Sequence, residues 1–258
     1  MINKIKRVIS FIEDIQKNLN FEKNHGSFKG VYKNFDEATK GLKNKPIGYD
    51  NNEVANEYLK NFDSRKISEY EYPLFFWLNQ ILSKTNQSKS VIFDFGGNLG
   101  VHYFKFKEYY INKNFQWLVC EVEALCKVGK DKFENDRLKF TTNFEEANNS
   151  DIFFSSGAIQ YVENFSLSKL PNKPKHILLS RLPMQDNIKQ FVTLQNTTSS
   201  FRPQYVFNRK DFISSLENIG YELIDTWRGY DSCYIPFHKN KSIRYYTGFY
   251  FKLKEILQ

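Results

Sequence analysis

Three cysteines in 258 residues, Cys120, Cys126 and Cys233, form no C-x-x-C pair. That sparse, odd count excludes a disulfide framework and a cysteine zinc motif. The four histidines are scattered, without the H-E-x-x-H spacing of a metal helix, so no metal is expected. No secretory signal is visible, and no apolar run is long enough to span a bilayer. The expected setting is therefore reducing and cytoplasmic. No internal repeat, no RNA-binding module, no separate basic tail and no N/D-P-P-Y motif is found.

What is present is a globular composition, 41% hydrophobic and 26% charged, with 25 Phe and 16 Tyr. Most of those rings belong in a core, and some can line a ligand pocket. Lys and Arg exceed Asp and Glu by 37 to 29. The excess favours anionic partners or a solvated basic surface. Residues 1–45 carry ten basic and five acidic side chains.

Residues 2–16 place Ile2, Ile5, Val8, Ile9, Ile12 and Ile15 at helical spacing. Lys4, Lys6 and Arg7 would suit a membrane-surface helix. Glu13 and Asp14 dilute that face, so a helix packed on the main domain is expected, with a peripheral membrane contact left open. Residues 24–50 read as loop with a short helix near Asp36–Lys40, and 51–83 as helical. The polar break Lys84–Ser90 then divides an N-terminal helical cap (1–83) from a main domain (84–258).

From Val91 onward short apolar strands alternate with helical stretches. The strands are Val91–Phe95, Trp117–Glu121, Leu138–Thr141, Asp151–Ser155, His176–Arg181, Tyr221–Thr226 and Arg244–Leu253. The pattern predicts an α/β fold with a mostly parallel, doubly wound sheet of seven strands. The last two strands, joined only by the loop Gly229–Ser242, can pair antiparallel. That arrangement is the Rossmann-like one of class I methyltransferases, not the ordinary dinucleotide-binding one. Residues 184–208 read as a long polar connection, a kind of segment that is usually functional or mobile.

The strongest local signal is Val91-Ile-Phe-Asp-Phe-Gly-Gly-Asn-Leu-Gly100. A strand runs into a glycine turn and then a helix, whose free N–H groups suit a carboxylate. Counted from Gly96, the G-x-G-x-x-G positions fall on Asn98 and Val101, so the nicotinamide pattern fails. An acid two residues before the first glycine, here Asp94, resembles the S-adenosylmethionine turn instead. An acid there can hold the methionine ammonium, commonly through water. Asn98 stands where that pattern usually has a glycine, and Asn tolerates positive φ.

Glu121 ends the next strand, 27 residues after Asp94, near the ~20-residue separation of a ribose-binding acid. Glu123 competes for that role. Asn143 and Phe144 follow the third strand, where the adenine is expected. In Asp151–Tyr161, the residues Ser156, Gly157 and Gln160 should line the cofactor or the acceptor.

On these elements the chain resembles a class I methyltransferase family associated with bacterial surface-polysaccharide (capsule and O-antigen) loci. The elements are Phe93–Tyr103, Ser155–Tyr161, Arg181–Pro183, Val192–Arg209, Phe28–Tyr32 and Gly48–Asp50. The resemblance implies S-adenosyl-L-methionine as cofactor. It also implies O-methylation of a small anionic acceptor in surface-glycan assembly: a nucleotide-linked sugar, a sugar hydroxyl or a phosphoramidate oxygen. RNA or protein methylation and a non-catalytic scaffold are the alternatives, and nucleic acid is not the expected partner.

On the acceptor side, His102 opens the helix after the turn and is the candidate general base, since His titrates near neutral pH. The helix dipole there favours a neutral imidazole. His25 and His238 are weaker candidates in loops, and His176 should begin a core strand. Arg181 could hold a phosphate or carboxylate through its planar fork, or sit in a structural ion pair. Gln160 is the third catalytic candidate. Tyr32, Tyr49, Gln195 and Tyr205 are the candidate acceptor contacts, with residues 26–77 expected over the carboxyl edge of the sheet.

Overall fold

The computed structural model describes residues 2–63, 66–84, 89–110 and 114–255. The N-terminal part holds α1 (Ile2–Leu19), β1 (Ser27–Tyr32), α2 (Phe35–Thr39), α3 (Asn52–Lys60) and α4 (Tyr72–Lys84). Residues 85–88 of the expected polar break lie outside the described residues. Then come β2 (Ser90–Phe95), α5 (Val101–Phe106), β3 (Phe115–Cys120), α6 (Glu123–Lys132), β4 (Leu138–Thr141), β5 (Ile152–Ser156) and β6 (His176–Leu182). The chain finishes with β7 (Met184–Gln185), β8 (Phe191–Asn196), β9 (Phe201–Asn208), α7 (Arg209–Glu217), β10 (Tyr221–Arg228) and β11 (Thr247–Leu253).

Seven strands form one sheet in the order β10-β11-β6-β5-β2-β3-β4. β2, β3, β4, β5 and β6 are joined by parallel pairings, and β11 is antiparallel to both β6 and β10. This is the mostly parallel, doubly wound seven-stranded sheet with antiparallel terminal strands that the alternation from Val91 predicts. The reason lies in side-chain period. Successive residues of a strand face opposite sides, and here both sides are covered. Ile92, Phe154, Leu178 and Tyr250 join one core with α4 and α5. Their neighbours Phe93, Phe153, Ile177, Leu179, Phe249 and Phe251 join the other, under α7. α4 therefore belongs to the layer that covers the main sheet, through Leu74, Leu78, Ile81 and Leu82.

Two sequence expectations need correction. Residues 184–208 are not a loop but mostly strand. β8 and β9 are antiparallel partners in a second sheet of order β1-β8-β9-β7, which also takes in β1 from a segment read as loop. Pro203 and the polar Arg202 and Gln204 conceal β9, because proline argues against a central strand. At Pro203 only β8 ladders to β9, since β7 pairs only with Phe207 and Asn208. The second sheet is stitched to the N-terminal segment: Gly48 N donates to Phe201 O at 2.8 Å, and Phe201 N to Pro46 O at 2.9 Å.

The second correction concerns α1. Its polar side, not its apolar stripe, meets the body. Asp14 is buried and accepts from the Tyr234 hydroxyl at 2.5 Å, Lys17 lies over the Tyr234 ring, and Lys239 bonds Ser10. Phe11 meets Phe237 at the edge of this contact. Ile5, Val8, Ile9, Ile12, Ile15 and Leu19 remain exposed. The body offers this helix hydroxyl and ammonium partners, so its charged side turns inward. No helix among the described residues is long and apolar enough to cross a membrane.

Asn196 ties the second sheet to the N-terminal segment. It is fully buried, donates to Phe21 O (2.7 Å) and Asn24 O (3.2 Å), and accepts from Lys45 Nζ (2.8 Å). Asn196→Ala removes three hydrogen bonds, each worth about 0.5–1.5 kcal/mol net, while Phe21 O and Asn24 O keep Ser27 and Lys45 Nζ keeps Thr197 O. Chemical denaturation should show a loss of about 2–4 kcal/mol on that scale. A variant as stable as the parent would remove this residue from the list of fold-holding contacts.

Candidate active site

The turn after β2 carries three positive-φ residues, Gly96 (φ 69°), Asn98 (φ 59°) and Gly100 (φ 78°). An added Cβ at Gly96 would lie 2.1 Å from Ala158 Cβ. At Gly97 it would lie 2.4 Å from Asp94 Oδ2, so no side chain fits. Asn98 takes the left-handed conformation expected of it, and its Oδ1 accepts from Leu99 N at 2.7 Å. Asp94 sits beneath the turn, fully buried. One oxygen accepts from Trp117 Nε1 at 2.9 Å, and the other has no partner. Burial raises its pKa to about 6, against the lowering influence of His102 and the Trp117 bond.

Glu121 leaves the end of β3 and bonds across to that turn. Oε1 accepts from Asn98 N at 2.8 Å, and Oε2 from Val122 N at 3.1 Å. Burial raises this carboxyl to about 7, while the two N–H groups oppose the shift and the Asp94 charge adds to it. Glu123 begins α6 and borders the same cleft. Asp50, from the N-terminal segment, accepts from Ala124 N at 3.0 Å, serving a first turn that has no side-chain cap of its own.

The glycine turn, Glu121, Glu123 and Asp50 border a cleft of about 820 Å³ at the carboxyl ends of the strands. Of the residues predicted from sequence, Gly96, Gly97, Asn98, Glu121, Phe144, Ser156 and Gly157 line it. So do His102, Arg181, Tyr49 and Gln195. Ile47 to Asp50, Tyr58, Tyr70 and Glu71 close it from the N-terminal side.

Six predicted residues are not among those lining it. Asp94 lies behind Gly97, and Gly100 faces Leu138. Asn143 caps the short helix 144–149, accepting from Glu145 N. Gln160 is buried and donates to Arg181 O, beside a smaller pocket of about 210 Å³. The Tyr32 ring folds back over Gly30, and Tyr205 packs on Phe35 and Phe207.

Two polar clusters occupy the cleft beyond the glycine turn. In the first, Glu71 is fully buried and both its oxygens accept from Lys105 Nζ at 2.8 Å. Oε1 lies 3.3 Å from His102 Nε2, and Oε2 accepts from Ser68 N at 2.6 Å. Burial would raise the Glu71 pKa, but His102, Lys105 and the Ser68 N–H together hold it down at about 2. The His102 ring packs on Phe154 and Phe106, and its Nδ1 is buried without a partner. The helix start is thus only part of its surroundings, and the Glu71–Lys105 pair is the part that the sequence reading lacked.

In the second cluster Arg202 lies over the Tyr49 ring, 4.0 Å from guanidinium carbon to centroid. It donates to Ser200 Oγ (2.9 Å) and Tyr58 OH (3.2 Å). Beside it Tyr161 OH donates to Gln195 Oε1 at 2.8 Å. Arg181 stands between the clusters with φ 59°, in the αL region, which non-glycine residues occupy at a cost. Its fork is bidentate to Asp231 at 2.8 and 2.9 Å, the structural ion pair named above as its alternative role.

Sequence reasoning missed Tyr58, Tyr70, Glu71 and Lys105 as cleft residues, and placed Arg202 in the polar connection 184–208 on the acceptor side without assigning it a role. Only Glu71 had a local signal, the capping-box spacing from Ser68.

No protein-family model matches the chain, and no curated protein sequence matches it. Among solved structures, a candidate S-adenosylmethionine-dependent methyltransferase from Listeria monocytogenes is similar. The match covers 70% of this chain and 98% of that one, at 12% identity and a TM-score of 0.49. The 1,6-didemethyltoxoflavin-N1-methyltransferase of Burkholderia thailandensis matches over 79% and 88%, at 10% identity and a TM-score of 0.47. The glycopeptide N-methyltransferase MtfA matches over 80% and 99%, at 8% identity and a TM-score of 0.47. At these identities and TM-scores the likeness assigns no chemistry, which the residues of the cleft must supply.

Gly97→Ala tests the tight seat above Asp94. Overpacking of this kind costs about 1–3 kcal/mol. Asp94→Ala in the same chain should recover part of that loss, with a coupling energy of about 1 kcal/mol or more in a double-mutant cycle. Additive losses would mean that the two positions do not touch.

Proposed function

We propose that this protein is an S-adenosylmethionine-dependent O-methyltransferase acting on a small anionic acceptor in surface-polysaccharide assembly. The observation that carries the reading is the pair Asp94 and Glu121 at the ends of adjacent strands β2 and β3, on either side of the glycine turn. That turn lies where the strand order reverses, β3 and β4 to one side of β2 and β5 and β6 to the other. Ligands of doubly wound sheets bind at such switch points.

The residues fit the cofactor. Asp94 has a buried oxygen without a partner, which suits an ammonium reached through water, since Asp94 does not border the cleft itself. The Gly96–Asn98 backbone gives close approach. Glu121 would take the ribose hydroxyls, Phe144 would border the adenine, and Ser156 and Gly157 would border the reacting end. When bound, S-adenosylmethionine supplies an electrophilic methyl carbon for in-line displacement, in which positioning provides much of the catalysis.

The chain's own part is to place the acceptor and take its proton. Glu71, ionised above its pKa of about 2, can only accept, so the proton of a neutral His102 sits on Nε2 facing it. Nδ1 then keeps its lone pair, without a partner, and is the atom that would take the acceptor's proton. The motif resemblance supports a surface-glycan acceptor. The built cleft, closed by the N-terminal segment, supports a small one.

Asp94→Ala and Glu121→Gln should each weaken S-adenosylhomocysteine binding by roughly 10- to 100-fold, the worth of a charged hydrogen bond. The ligand favours both ionised carboxylates, whose pKa values stand at about 7 (Glu121) and about 6 (Asp94). Affinity is therefore full above pH 7 and falls as pH drops through 7 and then 6, up to about tenfold per unit for each group. Calorimetry giving a flat profile would contradict the assignment.

His102→Ala should lower methyl transfer at least tenfold while S-adenosylhomocysteine affinity stays the same, as loss of a proton acceptor requires. Glu71→Gln should displace the acid limb of the pH–rate profile rather than merely scale it. The assay is tritiated-methyl transfer to nucleotide sugars, sugar phosphates and RNA. Transfer to RNA alone would overturn the acceptor class.

A further inference from the structure

Three cationic side chains border the cleft beyond the glycine turn, and they are balanced unequally. Lys105 has both oxygens of Glu71, and Arg181 has both oxygens of Asp231. Arg202 is only 6% exposed, yet among the described residues no carboxylate forms an ion pair with it. Its hydrogen-bond acceptors, Ser200 Oγ and Tyr58 OH, are neutral. Tyr49 and Tyr58 supply ring faces at 4.0 and 5.7 Å. A phenolate could have served as counter-ion, but burial raises the Tyr49 and Tyr161 hydroxyls well above their ordinary range. Glu121 borders the same cleft and feels the Arg202 charge, but it forms no ion pair with the guanidinium; its hydrogen bonds are from Asn98 N and Val122 N.

A buried guanidinium without an anion carries an uncompensated desolvation cost. Ring faces return only part of it. Such a residue is retained where a ligand brings the negative charge. The fork also suits oxyanions, because planar donors match carboxylate and phosphate geometry. Position agrees with this. Arg202 leaves β9 in the second sheet, across the cleft from the glycine turn and beside the Tyr161–Gln195 pair.

We propose that Arg202, caged by Tyr49 and Tyr58, is an oxyanion-binding residue that anchors a phosphate or carboxylate of the methyl acceptor. Calling that ligand the acceptor rests on the methyltransferase reading above; the anion site itself does not. Through this contact the acceptor is held by its charged end, while its reacting oxygen lies toward His102.

The test uses the full chain, with and without saturating S-adenosylhomocysteine, titrated with inorganic phosphate and with acetate at constant ionic strength. The thermal midpoint is followed. A saturable rise is expected for at least one anion, with apparent affinity lowered about tenfold or more in Arg202→Gln, the scale of a lost charged hydrogen bond. Arg202→Gln should weaken S-adenosylhomocysteine less than it weakens the anion, because only the charge of Arg202 reaches Glu121 and no hydrogen bond joins them. A response to phosphate alone identifies a phosphorylated acceptor, and one to acetate alone a carboxylate.

If Arg202→Gln does not fold, Arg202→Lys takes its place. It keeps the charge, loses the planar fork, and should weaken phosphate several-fold. No saturable response in the parent, or equal affinity in parent and variant, overturns the proposal. Failure of S-adenosylhomocysteine to bind would sink the cofactor reading alone, since the anion titration is also run without it.

Discussion

The space between Gly97 and Asp94 is already full, with an added Cβ falling 2.4 Å from the carboxylate. That steric limit fixes the rest of the site. The backbone at 96–98 must lie directly on the end of β2, and Gly96 must also clear Ala158 beyond β5. The turn then presents Asn98 N to Glu121 at the end of the neighbouring strand. It also sets the start of α5, and so the place of His102 and Lys105 against Glu71. A small change at one glycine would therefore be felt at both acids and at the histidine.

Charge in the cleft is distributed by how completely each group is paired. Glu71 holds Lys105 and the N–H groups of His102 and Ser68, and its pKa is held down at about 2. Half-buried Glu121 and buried Asp94 have N–H donors and no ammonium or guanidinium as hydrogen-bond partners, and sit near 7 and 6. Burial alone penalises every one of these carboxylates, and partner chemistry decides which overcome it. The two raised acids border the turn, where a cationic ligand end would restore the balance, and Arg202, without an ion-pair partner among the described residues, lines the same cleft.

The glycine-turn side of the cleft was legible because its signals are local. Strand, glycine turn and helix lie within Val91–Phe106, and the next strand supplies Glu121. The main sheet was legible for a similar reason: residues such as Phe93 and Ile177 sit in continuous apolar runs that only a sheet covered on both faces requires. The acceptor half joins segments far apart in the chain. Arg202 reads as a loop residue while β9 is hidden by Pro203, and Glu71 reads as a helix cap until the fold sets it beside His102. Tyr32, chosen for the aromatic–glycine pairing around it, folds over Gly30, and Tyr205, chosen for its place in the connection 184–208, packs on Phe35. In α1 the periodicity was correctly read, but which face meets the body was not legible, because the partners Tyr234 and Lys239 lie 220 and 229 residues away along the chain.

The second sheet has a further consequence for how the molecule comes into being. β1 pairs with β8, and Thr193 bonds the Lys29 carbonyl across 164 residues of chain. Loop-closure entropy makes such a pairing slow relative to local contacts. During synthesis β1 emerges early and waits, edges unsatisfied, while the strands from β2 to β6 are laid down. The glycine turn and its two acids can assemble before that closure; the wall bearing Gln195 and Arg202 cannot. The protein is thus ordered in time as well as in space, with the floor of the cleft set before its roof.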